Sequence, residues 1–309
     1  MGERHVDGTA QLNALVHKTD SSEALLTDWS RIGEGDFLIQ AVWPADHPFY
    51  RSLDGRYDPM IVVETVRQAV PLLSHAAYGM PMEHRQSWSE LSLSIDPTAV
   101  RATGAPTPVE LRVTCSNVTH RAGRLASLTM AVDVRADGAP LATVRTSFAN
   151  YSPPIYQRLR GAYADLARAR SRALPLLPPV PASHVRRSCH TDVVLAPTDK
   201  PDQFQLRTDL DHPVLFDHPV DHAPGMLLLE AARQATHLAT HPRQGVVVGL
   251  ESFFVRYAEL DDVCSIDVDV LPREQAAPHV RKVLVSFTQA GSCVCSAVVT
   301  VADSADAAP

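Results

Sequence analysis

The chain has 309 residues, of which 45% are hydrophobic and 20% are charged, and its formal net charge is −7. These proportions are typical of a globular protein with a buried core, and the acidic balance excludes non-specific binding of nucleic acid. The sequence shows no apolar segment of a signal peptide, no apolar run long enough to span a membrane, and no Cys-x-x-Cys pair among its five cysteines. We therefore expect a cytoplasmic protein with reduced thiols and no membrane contact.

The first half of the chain predicts a strand, a helix and then a series of strands. Phe37 to Trp43 is rich in strand-forming residues. Asp58-Pro59 supplies the N-cap and first turn of a helix that extends to about His75. Alternating apolar segments then predict strands near 86–95, 109–117, 124–135 and 139–149.

The second half repeats this order of elements. Phe204 to Leu210 predicts a strand, and a loop rich in histidine and proline precedes a helix from Gly225 to about His241. Further strands are predicted near 246–257, 263–271, 280–289 and 292–302. One strand, one long helix and several antiparallel strands, occurring twice, indicate an α+β fold.

Two segments differ in character from these halves. Residues 1–24 form a polar leader, and residues 152–188 separate the halves. The helical segment 155–173 carries five arginines and is followed by a proline-rich extended spacer. The arginines form either a solvated helix face or a docking surface for an acidic partner such as an acyl carrier protein.

A ten-residue sequence occurs twice and divides the chain into two repeats. Residues 60–69 read M-I-V-V-E-T-V-R-Q-A, and residues 226–235 read M-L-L-L-E-A-A-R-Q-A, 166 positions later. Each half therefore carries one Glu-x-x-Arg-Gln cluster inside a helix. We predict an N-terminal repeat over 25–151, a linker over 152–188 and a C-terminal repeat over 189–303.

Each repeated helix is apolar around most of its circumference, so its polar residues form one stripe on a buried helix. The stripes consist of Glu64, Arg67, Gln68 and His75 in the first helix, where Pro71 takes the place of a further histidine, and of Glu230, Arg233, Gln234, His237 and His241 in the second. A buried charge requires a partner, so the glutamate and arginine can simply brace the helix. Alternatively, the stripe lines a cavity in which the glutamate is a general base and the arginine binds an anion.

The loop before the second helix contains three Asp-His pairs, at 211–212, 217–218 and 221–222. Histidines at these positions can transfer a proton or hydrogen-bond the loop backbone. Their spacing matches no zinc motif, so we predict no metal site. The sequence contains no G-x-S-x-G, G-x-G-x-x-G or P-loop motif, which excludes triad hydrolases, nucleotide-binding proteins and kinases.

This second loop and helix resemble the signature of hotdog-fold β-hydroxyacyl-carrier-protein dehydratases. His218-Pro219, Pro224-Gly225 and Glu230-Ala231 stand where those enzymes have His-Phe-Pro-Gly, Pro-Gly-x-Leu and Glu-Ala. The loop departs from the dehydratase pattern because no Phe separates His218 from Pro219, which weakens a dehydratase interpretation.

The chain is more similar to the AfsA-like family of A-factor biosynthesis hotdog proteins, the γ-butyrolactone synthases. That family has two repeats, with a first motif like Tyr57-Asp58-Pro59-Met60 followed by E-T-V-R-Q-A. Its second motif is like F-D-H-P-x-D-H-x-P-G-M followed by E-A-A-R-Q-A, which here covers residues 216–235.

This resemblance implies a tandem double hotdog, in which an antiparallel sheet wraps each long central helix and the halves form a pseudo-dimer, as a monomer or homodimer. It implies an acyltransferase that moves a β-ketoacyl group from an acyl carrier protein or coenzyme A thioester to a hydroxyl of dihydroxyacetone phosphate. The product then leads to γ-butyrolactone, butenolide or furan-type signalling molecules of actinomycetes. No cofactor is expected.

The resemblance also suggests roles for the stripe. Glu230 is the first candidate for the general base, with Glu64 as its counterpart. The amides of Gly225 and Met226, at the helix start, are candidates to stabilise the oxyanion of the thioester carbonyl.

A phosphate requires a cation, which Arg233 or Arg67 can supply with Gln234 or Gln68 beside it. In single-repeat dehydratases the histidine and the acid come from opposite subunits. By analogy, Glu230 works with His47, and Glu64 works with His218.

Three other functions stay open from the sequence: a dehydratase, a thioesterase, and a non-catalytic protein that binds an acyl ligand. Arg233, beside the glutamate, favours a phosphorylated acceptor over water.

Overall fold

The computed structural model describes residues 9–303 except 97, 99, 100, 243, 244 and 276. The chain divides into two compact units, Met1–Tyr156 and Gln157–Pro309. In the described parts of both units, one long helix packs against one six-stranded antiparallel sheet. No helix among these residues is long and apolar enough to cross a membrane.

The first unit places its long helix between the second and third strands in chain order. Its strands follow the order β1-β2-β4-β5-β6-β3 in the sheet, and every neighbouring pair is antiparallel. The helices are α1 (Thr9–Leu15) and α2 (Pro59–Ala76), and the strands are β1 (Leu26–Arg31), β2 (Asp36–Trp43), β3 (Arg85–Ile95), β4 (Thr107–Arg121), β5 (Arg124–Ala136) and β6 (Ala139–Tyr151).

The second unit has the same topology. Its strands follow the order β7-β8-β10-β11-β12-β9, which is the order of the first unit with each strand replaced by its counterpart. Two short helices precede its first strand: α3 (Pro153–Arg160), which spans the boundary between the units, and α4 (Leu166–Ser171). Its long helix is α5 (Gly225–Thr240), and its strands are β7 (Leu195–Pro197), β8 (Gln203–Leu206), β9 (Gly245–Phe254), β10 (Ser265–Val270), β11 (Val280–Gln289) and β12 (Ser292–Asp303).

The two long helices are buried on nearly all sides, as their apolar circumference predicts. Fifteen of the 18 residues of α2 and 13 of the 16 residues of α5 are buried. Helix α5 contacts all six strands of its unit, so the sheet curves around it. The polar stripe of each helix therefore lies inside the protein, where every charge needs a partner.

Candidate active site

Glu230 lies at the centre of the polar stripe of α5 and is completely buried. Arg233 donates to it twice, from Nε to Oε2 at 2.9 Å and from Nη2 to Oε1 at 2.7 Å. Gln234 Nε2 donates to Oε1 at 2.5 Å. Arg187, from the segment before β7, donates from Nε to Oε1 at 2.9 Å, and its Nη2 lies 2.8 Å from the same oxygen. Two buried guanidinium groups thus surround one buried carboxylate.

These partners determine the charge of Glu230. Burial raises the pKa of a carboxyl group because it disfavours the ionised form. In Glu230 the charges of Arg187 and Arg233 outweigh burial and lower the pKa to about 2. At neutral pH Glu230 is therefore an anion that already accepts hydrogen bonds from three side chains. This geometry fits the bracing alternative, and the role of Glu230 as general base stays a prediction.

Glu64 has the same surroundings in the first unit. Arg67 donates from Nε to Oε2 and from Nη2 to Oε1, both at 2.7 Å, and Gln68 Nε2 donates to Oε1 at 2.9 Å. Lys18 Nζ lies 3.1 Å from Oε1 and supplies the second cation. Burial opposes ionisation, but the charges of Arg67 and Lys18 hold the pKa of Glu64 far below the ordinary carboxyl range.

Lys18 and Arg187 are the members of these clusters that the sequence analysis missed. They lie 169 positions apart, outside the repeated helices. A second repeat marks them: residues 17–23 read H-K-T-D-S-S-E, and residues 186–192 read R-R-S-C-H-T-D. Both segments have two basic residues, then a hydroxyl residue, and an acid five positions after the second basic residue. Aligning the halves beyond the helices would have found them.

The stripe glutamines tie each helix to the chain before the first strand of its unit. Gln68 donates to the carbonyl of Glu23 at 2.8 Å and accepts from the amide of Leu25 at 2.8 Å. Gln234 makes the equivalent bonds with the Asp192 carbonyl at 2.8 Å and the Val194 amide at 2.9 Å. Both glutamines, which we expected to contact substrate, therefore hold the fold in this structure.

His47 has a structural environment in its loop. Its ring is buried, and Nδ1 accepts from the amides of Phe49 and Tyr50 at 3.1 and 3.0 Å. Nδ1 must then be unprotonated, so Nε2 carries the hydrogen, and it lies 3.4 Å from Glu23 Oε2. The ring fixes the loop between β2 and α2.

The counterpart of His47 in the second unit is His212 rather than His218. Its Nδ1 accepts from the amides of Val214 and Leu215 at 3.2 and 3.1 Å, and its Nε2 lies 3.6 Å from Asp192 Oδ1. This is the arrangement of His47 repeated. His218 and His222, the other two histidines of the second loop, have no counterpart in the loop of the first unit, because residues 48–58 contain no histidine.

These two histidines each pair with the aspartate that precedes them. His218 Nδ1 lies 2.7 Å from Asp217 Oδ1, and His222 Nδ1 lies 2.6 Å from Asp221 Oδ1. Each aspartate side chain is less than 10% exposed, whereas 38% of the His218 side chain is exposed. A carboxylate at Nδ1 orients the ring and leaves Nε2 to exchange a proton with a substrate.

The loop ends at a helix N-terminus that has no side-chain cap. In α2, Asp58 Oδ1 accepts from the amide of Met60 at 2.8 Å. In α5 the corresponding N-cap is Pro224, whose side chain cannot accept a hydrogen bond. The amide of Met226, with that of Gly225, is therefore placed for an anion at the positive end of the helix dipole.

The structure thus places the expected site residues in three groups, and His47 lies apart from them in the loop between β2 and α2. Glu, Arg and Gln of each stripe come together in the core of their own unit. His218 lies with Asp217 in the loop that leads to Gly225 and Met226. Among the three Asp-His pairs noted in the sequence, only His218 was assigned a catalytic role. Among the described residues, no group of three or more His, Cys, Asp or Glu could hold a metal ion.

Comparison with known proteins identifies the family. The model of the A-factor biosynthesis hotdog domain, AfsA, matches residues 5–151 and 169–302. A 2-oxo-3-(phosphooxy)propyl 3-oxoalkanoate synthase of Streptomyces virginiae is 41% identical over 258 residues, which cover 84% of this chain and 86% of that protein. The enzyme of the same name from Streptomyces coelicolor is 38% identical over 282 residues, 91% of this chain and 88% of that protein.

The fold is also found in solved structures. An acyl-ACP thioesterase from Bacteroides thetaiotaomicron superposes with a TM-score of 0.50 at 13% identity, covering 85% of this chain and 97% of that one. Two hotdog matches along one chain confirm the prediction of a tandem double hotdog. The chain belongs to the AfsA family of A-factor biosynthesis hotdog proteins.

Proposed function

We propose that this protein is an acyltransferase that joins a β-ketoacyl group to dihydroxyacetone phosphate. The Streptomyces relatives are named for the product, a 2-oxo-3-(phosphooxy)propyl 3-oxoalkanoate. In chemical terms this product is a β-ketoacid esterified with the hydroxyl of dihydroxyacetone phosphate. The acyl donor is a thioester of coenzyme A or of an acyl carrier protein, and the product leads to a γ-butyrolactone, butenolide or furan-type signal.

The observation that carries the mechanism is the loop of the second unit, where an Asp-His dyad precedes an uncapped helix. His218 Nε2 takes the proton of the acceptor hydroxyl while Asp217 stabilises the imidazolium. The hydroxyl oxygen attacks the thioester carbonyl, and the amides of Gly225 and Met226 bind the oxyanion. The carbon–sulfur bond then breaks, and the leaving thiolate takes the proton from His218. His222 with Asp221 offers a second dyad in the same loop.

In this proposal the stripes are positioning groups. Glu230 with Arg233 and Gln234 fixes α5 against the segment before β7, and Glu64 with Arg67 and Gln68 fixes α2 in the same way. The binding of phosphate by Arg233 or Arg67 stays a prediction, since both guanidinium groups are paired with a glutamate here.

A direct assay tests the function. The protein is mixed with a β-ketoacyl thioester and dihydroxyacetone phosphate, and mass spectrometry follows the phosphorylated ester and its cyclised product. We expect the ester to form. Release of free acid alone would make the protein a thioesterase, loss of water from a hydroxyacyl thioester would make it a dehydratase, and no turnover would leave a binding protein.

A variant then tests the site. We expect His218→Ala to lower transfer by about 100-fold or more, the usual contribution of a general base. The unfolding temperature should stay unchanged, because 38% of the His218 side chain is exposed. His279→Ala, at an exposed position of the same unit, is the control. Full transfer by His218→Ala together with its loss in His222→Ala would move the role to the second dyad.

The compartment is a further part of this proposal. All five cysteines have free thiols. Such thiols suit the reducing cytoplasm, where we propose that the enzyme works.

A further inference from the structure

We propose that an exposed basic surface on α3 and α4 is the docking surface for an acidic acyl carrier protein, which delivers the acyl group. The inference rests on the proposed function and goes on to name the carrier of the thioester. The docking surface consists of Arg158, Leu159, Tyr163, Leu166 and Arg168.

The charge of this segment is opposite to that of the whole chain. Residues 157–176 contain five arginines, one aspartate and no lysine or glutamate, which gives a net charge of +4 in a protein of net charge −7. Three of these arginines are paired with acids outside the segment, so Arg158 and Arg168 supply the positive charge that attracts a negative partner, over about 10 Å at moderate salt.

Two arginines of the surface are available to such a partner. Arg158 and Arg168 are exposed, and neither guanidinium makes an ion pair within the described part of the chain. Neighbouring arginines are already used: Arg172 Nε lies 2.9 Å from Asp261 Oδ2, and Arg170 Nη2 lies 4.0 Å from Asp211 Oδ1.

Apolar side chains accompany these charges. Leu159 is 56% exposed, Tyr163 is 40% exposed and Leu166 is 36% exposed. Apolar residues with an arginine rim are typical of protein–protein interfaces. The acidic partner must therefore also present apolar side chains, and it must carry a thioester for the proposed reaction, which is the chemistry of an acyl carrier protein.

The surface is tied to the loop that holds the Asp-His dyads. Arg160 is buried and makes a bidentate ion pair with Glu259. It also donates to the carbonyl of Asp221 at 3.3 Å, and its guanidinium stacks over the Tyr257 ring at 4.2 Å. Since Asp221 directly precedes His222, a carrier protein bound here would present its acyl arm beside the reactive loop.

The surface is also held in shape before any partner binds. Asp165 Oδ1 caps α4 by accepting from the amide of Arg168 at 3.1 Å, and Ala169 packs into the core at 5% exposure. The amide of Leu174 donates to the carbonyl of Leu260 at 2.9 Å and fixes the chain after α4. A preformed surface loses less entropy on binding.

A protein partner fits this surface better than a membrane. Helices that lie on bilayers present a long continuous apolar face. Here α3 has eight residues and α4 has six, with a 3₁₀ turn over Gly161–Ala164 between them.

The test compares two donors that carry the same β-ketoacyl group, one on coenzyme A and one on a purified acidic acyl carrier protein. In Arg158→Glu/Arg168→Glu we expect KM for the carrier-bound donor to rise at least tenfold, with kcat and the coenzyme A kinetics within twofold of the parent. Arg121→Glu/Arg124→Glu, which makes the same charge change at two exposed positions of the first unit, should match the parent with both donors.

Several results would overturn the proposal. The first is an unchanged KM of the Arg158→Glu/Arg168→Glu variant for the carrier-bound donor. If, in addition, the parent sediments with phosphatidylglycerol vesicles and the variant does not, the surface binds a membrane instead. The second is an equal loss of transfer activity with both donors, because the substitutions would then have damaged the folded enzyme rather than carrier docking. If the parent transfers from neither donor, the proposed function fails by itself. Calorimetry then measures the binding of the carrier protein to the parent and to the variant. Binding that is tenfold weaker in the variant supports the docking surface, and equal binding overturns it.

Discussion

At the scale of single residues, Glu230 separates two explanations of the buried stripe. If it braces α5, Glu230→Gln leaves Arg187 and Arg233 buried without a counter-charge. We then expect the free energy of unfolding to fall by about 3–5 kcal/mol in urea denaturation at pH 7. Glu251→Gln, at an exposed position on β9, should change it by less than about 0.5 kcal/mol. Unchanged stability with loss of acyl transfer would instead identify Glu230 as a catalytic base.

His237, one turn after Arg233, gives the protein a pH dependence. Burial and the charges of Arg233 and Arg186 hold the pKa of His237 well below its ordinary value of 6.5. The unfolded chain therefore binds a proton below pH 6.5 that the folded chain does not bind. The contribution of His237 to the free energy of unfolding is therefore fully present above pH 6.5. It is lost as the pH falls below 6.5, by up to about 1.4 kcal/mol per pH unit.

We expect His237→Gln to have a shallower decrease in unfolding free energy between pH 6.5 and pH 5 than the parent. Urea denaturation at several pH values measures the slope. His279→Gln, an exposed histidine of the same unit, controls for the loss of an imidazole. Equal slopes in parent and His237→Gln would show that His237 titrates alike in both states.

The composition of each stripe could be predicted from the sequence, but its charge partners could not. Helical periodicity shows that Glu230, Arg233 and Gln234 share a face. Arg187 lies 43 residues from Glu230 in sequence, and only tertiary folding brings them together. The sequence therefore predicted a buried glutamate and arginine without the second cation, which together with Arg233 lowers the pKa of the Glu230 carboxyl group.

At the scale of elements, the sequence predicted those turns and strands whose formation depends on residues close together in the chain. The two-residue turn Asp137-Gly138 joins β5 and β6, and both residues have positive φ, 48° and 76°, as a tight hairpin requires. Strands β1 and β7 were missed. Strand β1 is exposed along most of its length, and β7 has three residues, so neither shows an alternating pattern. Both are defined by pairing with the next strand, which no local pattern reveals.

The start of α5 gives the prediction that belongs to this scale. Pro224→Asp should place a carboxylate on the Met226 amide, as Asp58 does on Met60 in α2. If the amides at the helix start bind the oxyanion, we expect transfer to fall by about 100-fold, because the anion site is filled. Stability should stay equal or rise by about 1 kcal/mol from the new cap.

Two variants control this result. Pro224→Ala keeps the cap position without an acceptor, and its transfer rate should stay within a few-fold of the parent. Asp58→Ala removes the cap of α2 and should cost about 1 kcal/mol of stability while leaving transfer by the folded protein intact. Normal transfer by Pro224→Asp would place the oxyanion elsewhere.

At the scale of the whole molecule, the duplication is complete in topology and incomplete in chemistry. Both units repeat the strand order and the buried Glu–Arg–Gln cluster with its second cation. The prediction of the tandem fold is confirmed. It could be made from the sequence because a repeated central helix implies two copies of the sheet that surrounds it. In the mechanism that we propose, the loop residues decide whether both copies react, and the loops are where the two units differ.

The unequal loops predict one binding site per chain. Only the second unit combines Asp-His dyads with an uncapped helix start, whereas α2 begins at a capped N-terminus after a loop whose residues 48–58 lack histidine. We expect calorimetric titration with a β-ketoacyl-coenzyme A analogue, in which a methylene group replaces the thioester sulfur, to give one bound analogue per chain. Pro224→Asp should weaken this binding, and Asp58→Ala should leave it unchanged. Two bound analogues per chain would mean that the buried clusters, which both units share, define the site rather than the loop.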